Sequence, residues 1–238
     1  MLLVLAVFFP SFCARAARTD TLINDQWRFH RADAAGAQHP GFDDRAWDVV
    51  DVPHTYNAFD TQDGGSYYRG PAWYRRTVHI DAAHTGKRIY LFFEAVGKAA
   101  DVYCNGTFVG RHEGAYAAFS FDVTDHVTVG ADNLIAVRAD NSDTGTLNII
   151  PRSGDFNQYG GICRNVRLIV TDPVHITLLD YASPGVYLTQ TNVSETSADV
   201  DVKVLVRNAG TSSQSVTVRA MIYDAAGARV DTLTTTRN

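Results

Sequence analysis

The chain has 238 residues, of which 45% are hydrophobic and 20% are charged. This composition is too apolar for a disordered protein, and the length leaves room for one large or two modest domains. The net charge of −5 argues against a nucleic-acid-binding protein, which normally carries an excess of basic residues.

The chain opens with an apolar run of about a dozen residues that ends before Ala14-Arg15-Ala16. The run is too short to span a bilayer, and the small-x-small pattern after it is typical of a signal-peptide cleavage site. We therefore expect residues 1–16 to be a secretory signal peptide and the protein to be secreted or periplasmic. The alternative, an exposed apolar tail on a cytosolic protein, is unfavourable in water. No later segment of the sequence is long and apolar enough to cross a membrane.

Short β-branched and aromatic stretches, separated by Gly, Asn, Asp and Pro, fill the next part of the chain. Asn105-Gly106 lies between two of them and predicts a type I′ hairpin turn. No window shows a 3.6-residue apolar period, so helices should be minor. An all-β sandwich or barrel is therefore predicted. The clearest predicted strands are residues 88–94, 101–104, 107–109, 134–138 and 165–170.

A change of composition near Thr171-Asp172-Pro173 predicts a domain boundary. The three tryptophans come before it, and Val, Thr, Ser and Ala dominate after it. Residues 198–207 and 216–223 alternate between apolar and polar, as the strands of an immunoglobulin-like sandwich do. Such a sandwich usually takes about 100 residues. We therefore expect one domain over residues 20–171 and a truncated immunoglobulin-like sandwich over residues 172–238.

The tryptophans and one polar turn favour structural roles. Trp27 and Trp73 are typical of a sandwich core, whereas Trp47 follows polar residues and is expected to pack against a surface loop. Residues 122–124, Asp-Val-Thr, are expected to end a strand in a polar turn.

Metal and cofactor motifs are missing from the sequence. The histidines are scattered without ligand-like spacing, and Cys104 and Cys163 do not resemble a zinc site. These two cysteines either pair, as an exported protein allows, or remain separate buried thiols. There is no phosphate loop, dinucleotide fingerprint or Gly-x-Ser-x-Gly elbow. We therefore expect no metal and no cofactor.

Several motifs occur in an order that resembles one protein family. The motifs are Asn24-Asp25-Gln26-Trp27, residues 42–54, residues 67–76 around Arg69-Gly70-Pro71-Ala72-Trp73, the Asn105-Gly106 hairpin, residues 114–124, residues 133–138, and Tyr159-Gly160-Gly161-Ile162-Cys163-Arg164. Together they resemble the sugar-binding domain of glycoside hydrolase family 2, nearest to its β-galactosidase branch. The resemblance covers most of residues 22–182. It implies a jelly-roll sandwich followed by an immunoglobulin-like domain.

The same resemblance implies that the catalytic machinery is not in this sequence. Retaining glycosidases use two carboxylates about 5–5.5 Å apart, and in this family both would be glutamates on a TIM barrel beyond the sandwiches. The glutamates here are Glu94, Glu113 and Glu195, and none follows an asparagine as the family's acid/base does. We therefore expect no catalytic residue within the 238 positions.

Substrate binding is expected from two loops. The resemblance places Asp155 where an aspartate of the family's β-galactosidases reaches the sugar, and a carboxylate can accept hydrogen bonds from two vicinal hydroxyls. The alternative for Asp155 is a turn residue that caps its own backbone. In the polar loop of residues 57–70, Asp60, Tyr68 and Arg69 are further candidates for the rim of the pocket. Arg164 is expected to lock its loop rather than to bind substrate.

Two functions follow as hypotheses. The first is the N-terminal, non-catalytic part of an exported, retaining β-galactosidase-like glycoside hydrolase. Its partners are then a β-galactoside or related β-glycoside and a TIM barrel in the same polypeptide. The second is a free-standing carbohydrate-binding or adhesion module without catalysis. Neither involves nucleic acid or, after signal cleavage, a membrane, and self-association into a homo-oligomer is left open.

Overall fold

A computed structural model describes residues 16–62, 64–142 and 158–238. The expected signal peptide lies almost wholly outside these ranges, as does Asp155. The described secondary structure is sixteen strands and two single-turn 3₁₀ helices, Ala82–His84 and Thr124–His126. The strands are β1 (Arg18–Leu22), β2 (Trp27–His30), β3 (Asp48–Val50), β4 (Pro71–Ile80), β5 (Arg88–Phe93), β6 (Ala99–Cys104), β7 (Thr107–Glu113), β8 (Phe119–Asp122), β9 (Ala131–Asp140), β10 (Val166–Thr171), β11 (Val174–Ile176), β12 (Val186–Thr191), β13 (Asp199–Val204), β14 (Val206–Asn208), β15 (Val216–Tyr223) and β16 (Arg229–Arg237).

Two antiparallel sheets form the first part of the molecule. One has the strand order β1-β10-β5-β8 and the other β3-β2-β4-β9-β6-β7. Along β4, Ala72, Tyr74, Val78 and Ile80 point into the core between the sheets, as the two-residue period of a strand requires. The core receives alternate residues from both sheets, so the first part is a β-sandwich. The predicted all-β fold is confirmed.

The local turn predictions hold where the chain is described. Asn105 and Gly106 have φ values of 50° and 87°, and they join β6 to β7 as the type I′ prediction requires. β8 ends at Asp122, whose Oδ1 accepts hydrogen bonds from the backbone N–H and the hydroxyl of Thr124. The polar turn predicted there is therefore present.

The outer face of the six-stranded sheet is covered by the segment of residues 31–47. Trp73 lies on this face and packs with Ala37 and Ala136 in a cluster that also holds Trp47. Trp27 is in the core between the sheets and donates its indole N–H to the carbonyl of Ile23 at 2.8 Å. Trp73 is thus buried as expected, but under a covering loop rather than in the central core. Trp47, at the end of that segment, packs edge-on against Phe42 of the same surface loop, as predicted.

The chain after β10 packs onto the outer face of the four-stranded sheet. Leu178 is buried there against Tyr90 and Ile169. His175, on β11, forms a 2.8 Å hydrogen bond between its Nε2 and the Tyr90 hydroxyl. Beyond this contact, three two-stranded sheets pair β11 with β14, β12 with β13, and β15 with β16. Within the described ranges, no helix is long and apolar enough to cross a membrane.

Candidate functional site

Loops from several strands meet at one end of the sandwich. Gly97, after β5, and Gly161, before β10, form an antiparallel bridge with N–H to O distances of 3.0 and 3.3 Å. His54, in the loop between β3 and β4, donates its backbone N–H to Ile162 at 2.8 Å. These backbone contacts join the 54–70 loop to the segment that leads into β10. A site at this end is therefore built from parts of the chain far apart in sequence.

Asn57 is the centre of a buried polar network in these loops. Its Oδ1 accepts hydrogen bonds from the N–H of Gly160 at 2.7 Å and from Nδ2 of Asn141 at 3.1 Å. Its own Nδ2 donates to the carbonyl of Tyr68 at 3.0 Å and to Oδ2 of Asp60 at 2.5 Å. An amide has two donor hydrogens and two acceptor lone pairs, so Asn57 is fully satisfied.

Asn141 extends the network to both ends of residues 143–157. Its Oδ1 accepts the N–H of Gly70 at 2.9 Å, and its Nδ2 donates to the carbonyl of Gln158 at 3.1 Å. Asn141 precedes residues 143–157 and Gln158 follows them. One buried asparagine therefore ties together the two points where that segment leaves and rejoins the sandwich.

Asp60 lies inside the same buried network. Its side chain is 3% exposed and pairs with the guanidinium of Arg31. Its other oxygen accepts the N–H of Tyr68 at 2.9 Å as well as the Asn57 amide. Burial alone raises the pKa of this carboxyl, but the hydrogen bonds and the Arg31 charge outweigh burial and hold its pKa below the ordinary value. The sugar contact suggested for Asp60 stays a prediction, whereas loop anchoring is what the geometry provides.

Tyr68 and Arg69 also fasten the loop. The Tyr68 hydroxyl donates to the carbonyl of Pro71 at 2.7 Å, and the guanidinium of Arg31 lies 5.1 Å from its ring centre. Arg69 donates from Nη1 to the carbonyl of Gln158 at 3.1 Å. Both remain predictions as sugar contacts. The Arg69 bond connects the 57–70 loop to Gln158, which follows residues 143–157, and the Tyr68 contacts hold the loop to Pro71 and Arg31.

Arg69 joins the 57–70 loop to Gln158, whereas the locking role expected for Arg164 stays a prediction because most of its loop lies outside the described residues. The Arg164 side chain is exposed, and it makes no hydrogen bond or ion pair with any part of the chain that the structure describes. Sequence reasoning also missed Asn57, Asn141 and Arg31. Each is an ordinary polar residue with no motif around it, so only the long-range contacts single it out.

Two neighbouring glycines make the close approach of these loops feasible. A Cβ on Gly160 would lie 1.9 Å from the hydroxyl oxygen of buried Tyr56. Gly161 has a φ of +119° and no room for a side chain beside the carbonyl of His54. The Gly160-Gly161 pair is therefore a requirement of packing and of backbone conformation.

The glutamates have structural positions. Glu94 accepts hydrogen bonds from the Asn165 amide at 3.0 Å and from Nε of Arg167 at 3.1 Å. Glu113 pairs with Arg111 at 2.6 Å, and Glu195 is exposed in the loop between β12 and β13. Glu94 and Glu113 each pair with an arginine, which is typical of structural ion pairs.

The cysteines are separate thiols in this structure. Cys104 is buried, and burial raises the pKa of its thiol to about 11. Cys163 is half-buried and donates to the carbonyl of Gly161 at 3.2 Å. Burial also raises its pKa, so neither thiol is activated for nucleophilic chemistry. Among the described residues, no three His, Cys, Asp or Glu side chains come together as metal ligands would.

The two packed antiparallel sheets define the class of β-sandwich domains, with a polar network of loops at one end. Residues 22–173 match the family model described as the sugar-binding domain of glycosyl hydrolases family 2. The chain belongs to this family, and the resemblance drawn from its motifs is confirmed. It corresponds to the N-terminal, non-catalytic portion of these β-glycoside hydrolases.

Curated relatives and solved structures agree with the family match. A β-glucuronidase of Bacteroides fragilis is 43% identical over 199 residues, covering 83% of this chain and 27% of the relative. A β-galactosidase of Bacteroides ovatus is 33% identical, with coverages of 87% and 24%. The structure of Bacteroides uniformis β-glucuronidase 2, covalently bound to cyclophellitol-6-carboxylate aziridine, superposes with a TM-score of 0.85 at 33% identity over 93% of this chain and 26% of that one. The chain spans about a quarter of the length of the curated relatives it matches.

Proposed function

We propose that this chain forms part of the sugar pocket of an exported, retaining β-glycoside hydrolase. In this proposal the two catalytic carboxylates belong to a TIM barrel elsewhere in the same polypeptide, and Asp155 supplies the sugar contact. A carboxylate suits that role because it accepts hydrogen bonds from two hydroxyls at once.

The observation that carries the proposal is the buried polar network at the two ends of residues 143–157. Asn141 and Gln158 are joined directly at 3.1 Å, and Arg69 adds a second bond to Gln158. Binding side chains work best when surrounding hydrogen bonds fix the backbone that carries them. A segment with both ends fastened in this way is a suitable support for a substrate-binding aspartate.

We propose a β-galactoside or a β-glucuronide as the substrate. The motifs favour the β-galactosidase branch, whereas the Bacteroides fragilis relative at 43% identity is a β-glucuronidase. Hydrolysis of a matched pair of aryl β-galactoside and aryl β-glucuronide by the full-length protein separates the two. If the full-length protein binds such sugars but cleaves neither, the carbohydrate-binding module is the correct function.

The role of Asp155 is tested by Asp155→Asn in the full-length protein. Hydrogen bonds to charged groups contribute about 1.5–3 kcal/mol, so we expect kcat/KM to fall about 10- to 100-fold with little change in stability. Asp125→Asn is the matched control, because the Asp125 carboxylate is 85% exposed and lies 4.0 Å from its arginine neighbour. A kcat/KM within about twofold of wild type would refute the sugar contact.

Export is part of the proposal. It is supported by the apolar start of the chain and by Ala14-Arg15-Ala16. N-terminal sequencing of the mature protein tests it. A new terminus close to Ala17 is expected, and a mature protein that begins at Met1 would refute export.

A further inference from the structure

Two exposed tyrosines flank a small cleft beside the polar network. Tyr116, between β7 and β8, is 52% exposed, and Tyr159, next to Gln158, is 45% exposed. The cleft between them has a volume of about 220 Å³ and is lined by Pro53, His54, Thr55, Tyr116, Tyr159 and Cys163. Neither tyrosine hydroxyl takes part in a hydrogen bond with the described residues. The two tyrosine hydroxyls therefore have no hydrogen-bonding role in the described part of the fold.

The backbone around the cleft is well fixed. Residues 54 and 56 donate to the carbonyls of Ile162 and Gly160 at 2.8 and 3.3 Å, and Gly161 is bridged to Gly97. The Thr55 hydroxyl is bound to the carbonyl of Gly160 at 2.9 Å. The backbone next to Tyr159 is thus fixed, and the N–H of Ala115, next to Tyr116, donates to the carbonyl of Lys98 at 3.0 Å. An ordered support of this kind reduces the entropy lost when a ligand binds.

The chemistry of the lining limits the ligand class. None of the six lining residues is an acid, a lysine or an arginine. His54 shares its Nδ1 with the Tyr74 hydroxyl at 2.8 Å, and burial lowers its pKa, so it is neutral near pH 7. The volume is below the roughly 300–1,000 Å³ of pockets that hold drug-sized ligands. A single uncharged ring with one apolar face and polar edges suits this cleft.

We propose that Tyr116 and Tyr159 form a subsite that stacks one neutral pyranose ring of a carbohydrate. The C–H face of a pyranose is apolar and packs on the electron-rich face of an aromatic ring, while the tyrosine hydroxyls remain available for the sugar's hydroxyls. The proposal concerns the two tyrosines and does not depend on the contact assigned to Asp155. If the proposed function holds, the subsite has a consequence for the substrate class. The glycoside then carries a neutral sugar unit in addition to the one that is cleaved, and this step rests on the proposed function.

Sugar binding by the 238-residue chain tests the subsite directly. Methyl β-galactopyranoside and methyl β-glucuronide are titrated separately and followed by NMR of the tyrosine rings. We expect saturable binding of methyl β-galactopyranoside at about millimolar strength and weaker binding of methyl β-glucuronide, because the uncharged lining offers the carboxylate no partner. Tyr116→Ala and Tyr159→Ala should each raise the Kd at least about fivefold, the loss expected when an aromatic contact of about 1 kcal/mol is removed.

Two control variants make the result specific. Tyr159→Phe keeps the ring and should bind within about twofold of wild type, as a contact of under about 0.5 kcal/mol implies. Tyr223→Ala removes a tyrosine of similar exposure, 54%, that lies on β15 away from the cleft, and it should leave the Kd unchanged. Unchanged Kd values in both Tyr116→Ala and Tyr159→Ala, or no saturable binding by wild type, would overturn the subsite. Such a result is also what contact of the tyrosines with another protein domain would produce.

The same titration distinguishes this proposal from the proposed function. Asp155→Asn should leave binding of methyl β-galactopyranoside at the tyrosine cleft unchanged, while it lowers kcat/KM in the full-length protein. If the tyrosine-ring NMR signals of Asp155→Asn no longer respond to methyl β-galactopyranoside, the cleft is not a separate subsite. This result too would overturn the inference.

Discussion

The buried pair of Asp60 and Arg31 gives the sharpest test of whether the 57–70 loop anchors the site. In Asp60→Asn the oxygen that accepts from Asn57 and Tyr68 can be kept, and the new NH₂ group then faces the guanidinium of Arg31. A hydrogen bond between charged groups contributes about 1.5–3 kcal/mol. Arg31 is 42% exposed and regains water, so we expect a loss of about 1.5–2 kcal/mol. For a domain of this size that corresponds to roughly 3–8 °C in Tm.

The assay is urea unfolding followed by tryptophan fluorescence, since Trp27 lies in the core. Asp43→Asn is the control, because Asp43 forms a 2.7 Å ion pair with Arg45 in which both side chains are exposed. Such surface pairs contribute little to stability, so its urea midpoint should not move. Equal midpoints for Asp60→Asn and Asp43→Asn would refute an anchoring role for Asp60.

The pH dependence of the same variant provides an independent check. The pKa of Asp60 is lowered in the folded protein, whereas the unfolded chain has the ordinary value of about 3.9. The carboxylate therefore contributes its full stabilisation above about pH 4 and loses it as the pH falls through the folded pKa. The difference in stability between wild type and Asp60→Asn should shrink below pH 4. A constant difference from pH 7 to pH 3 would show that charge is not the cause.

Two more predictions concern packing and three histidines that are partly or fully buried. Gly160→Ala should destabilise the protein by about 3 kcal/mol or more in urea unfolding, because the new Cβ meets Tyr56. Gly41→Ala is the control, because there is open space around its Cβ, and it should not destabilise the protein. Equal urea midpoints for the two variants would contradict the packing argument. Burial lowers the pKa of His54, His112 and His175 in the folded protein. As the pH drops below about 6.5, the unfolded chain therefore takes up protons before the folded one does, and stability should fall. A urea midpoint equal at pH 7.5 and pH 5.5 would contradict this.

Local sequence rules predicted most of the strands and turns because these depend on neighbouring residues. β15 spans Val216–Tyr223, the alternating stretch that the pattern identified. The 198–207 stretch is divided between β13 and β14, since Leu205 pairs with the backbone of Thr177 and Gly185 and interrupts the strand. Alternation predicts an extended backbone, but it does not reveal such breaks in pairing.

Positions that depend on distant contacts could not be predicted in the same way. Asp60 was expected on a rim because its neighbours in sequence are polar, but its side chain is buried and pairs with the distant Arg31. Trp73 was assigned to the core by residue type, but residues 31–47 cover it on the opposite face of its sheet. In both cases the deciding partner lies about 30 residues or more away in the sequence: Arg31 for Asp60 and Ala37 for Trp73.

The contact of Leu178 and His175 with the four-stranded sheet affects how the two parts of the molecule can move. The compositional boundary lies near Pro173, but residues 174–178 are held on Tyr90 and Ile169 by apolar packing and by a buried hydrogen bond. Because β11 pairs with β14, residues 206–208 are tied to the sandwich through the same contact. The first few residues beyond the boundary belong mechanically to the sandwich, and a shortened version that ended at Thr171 would expose an apolar surface which the native chain keeps covered.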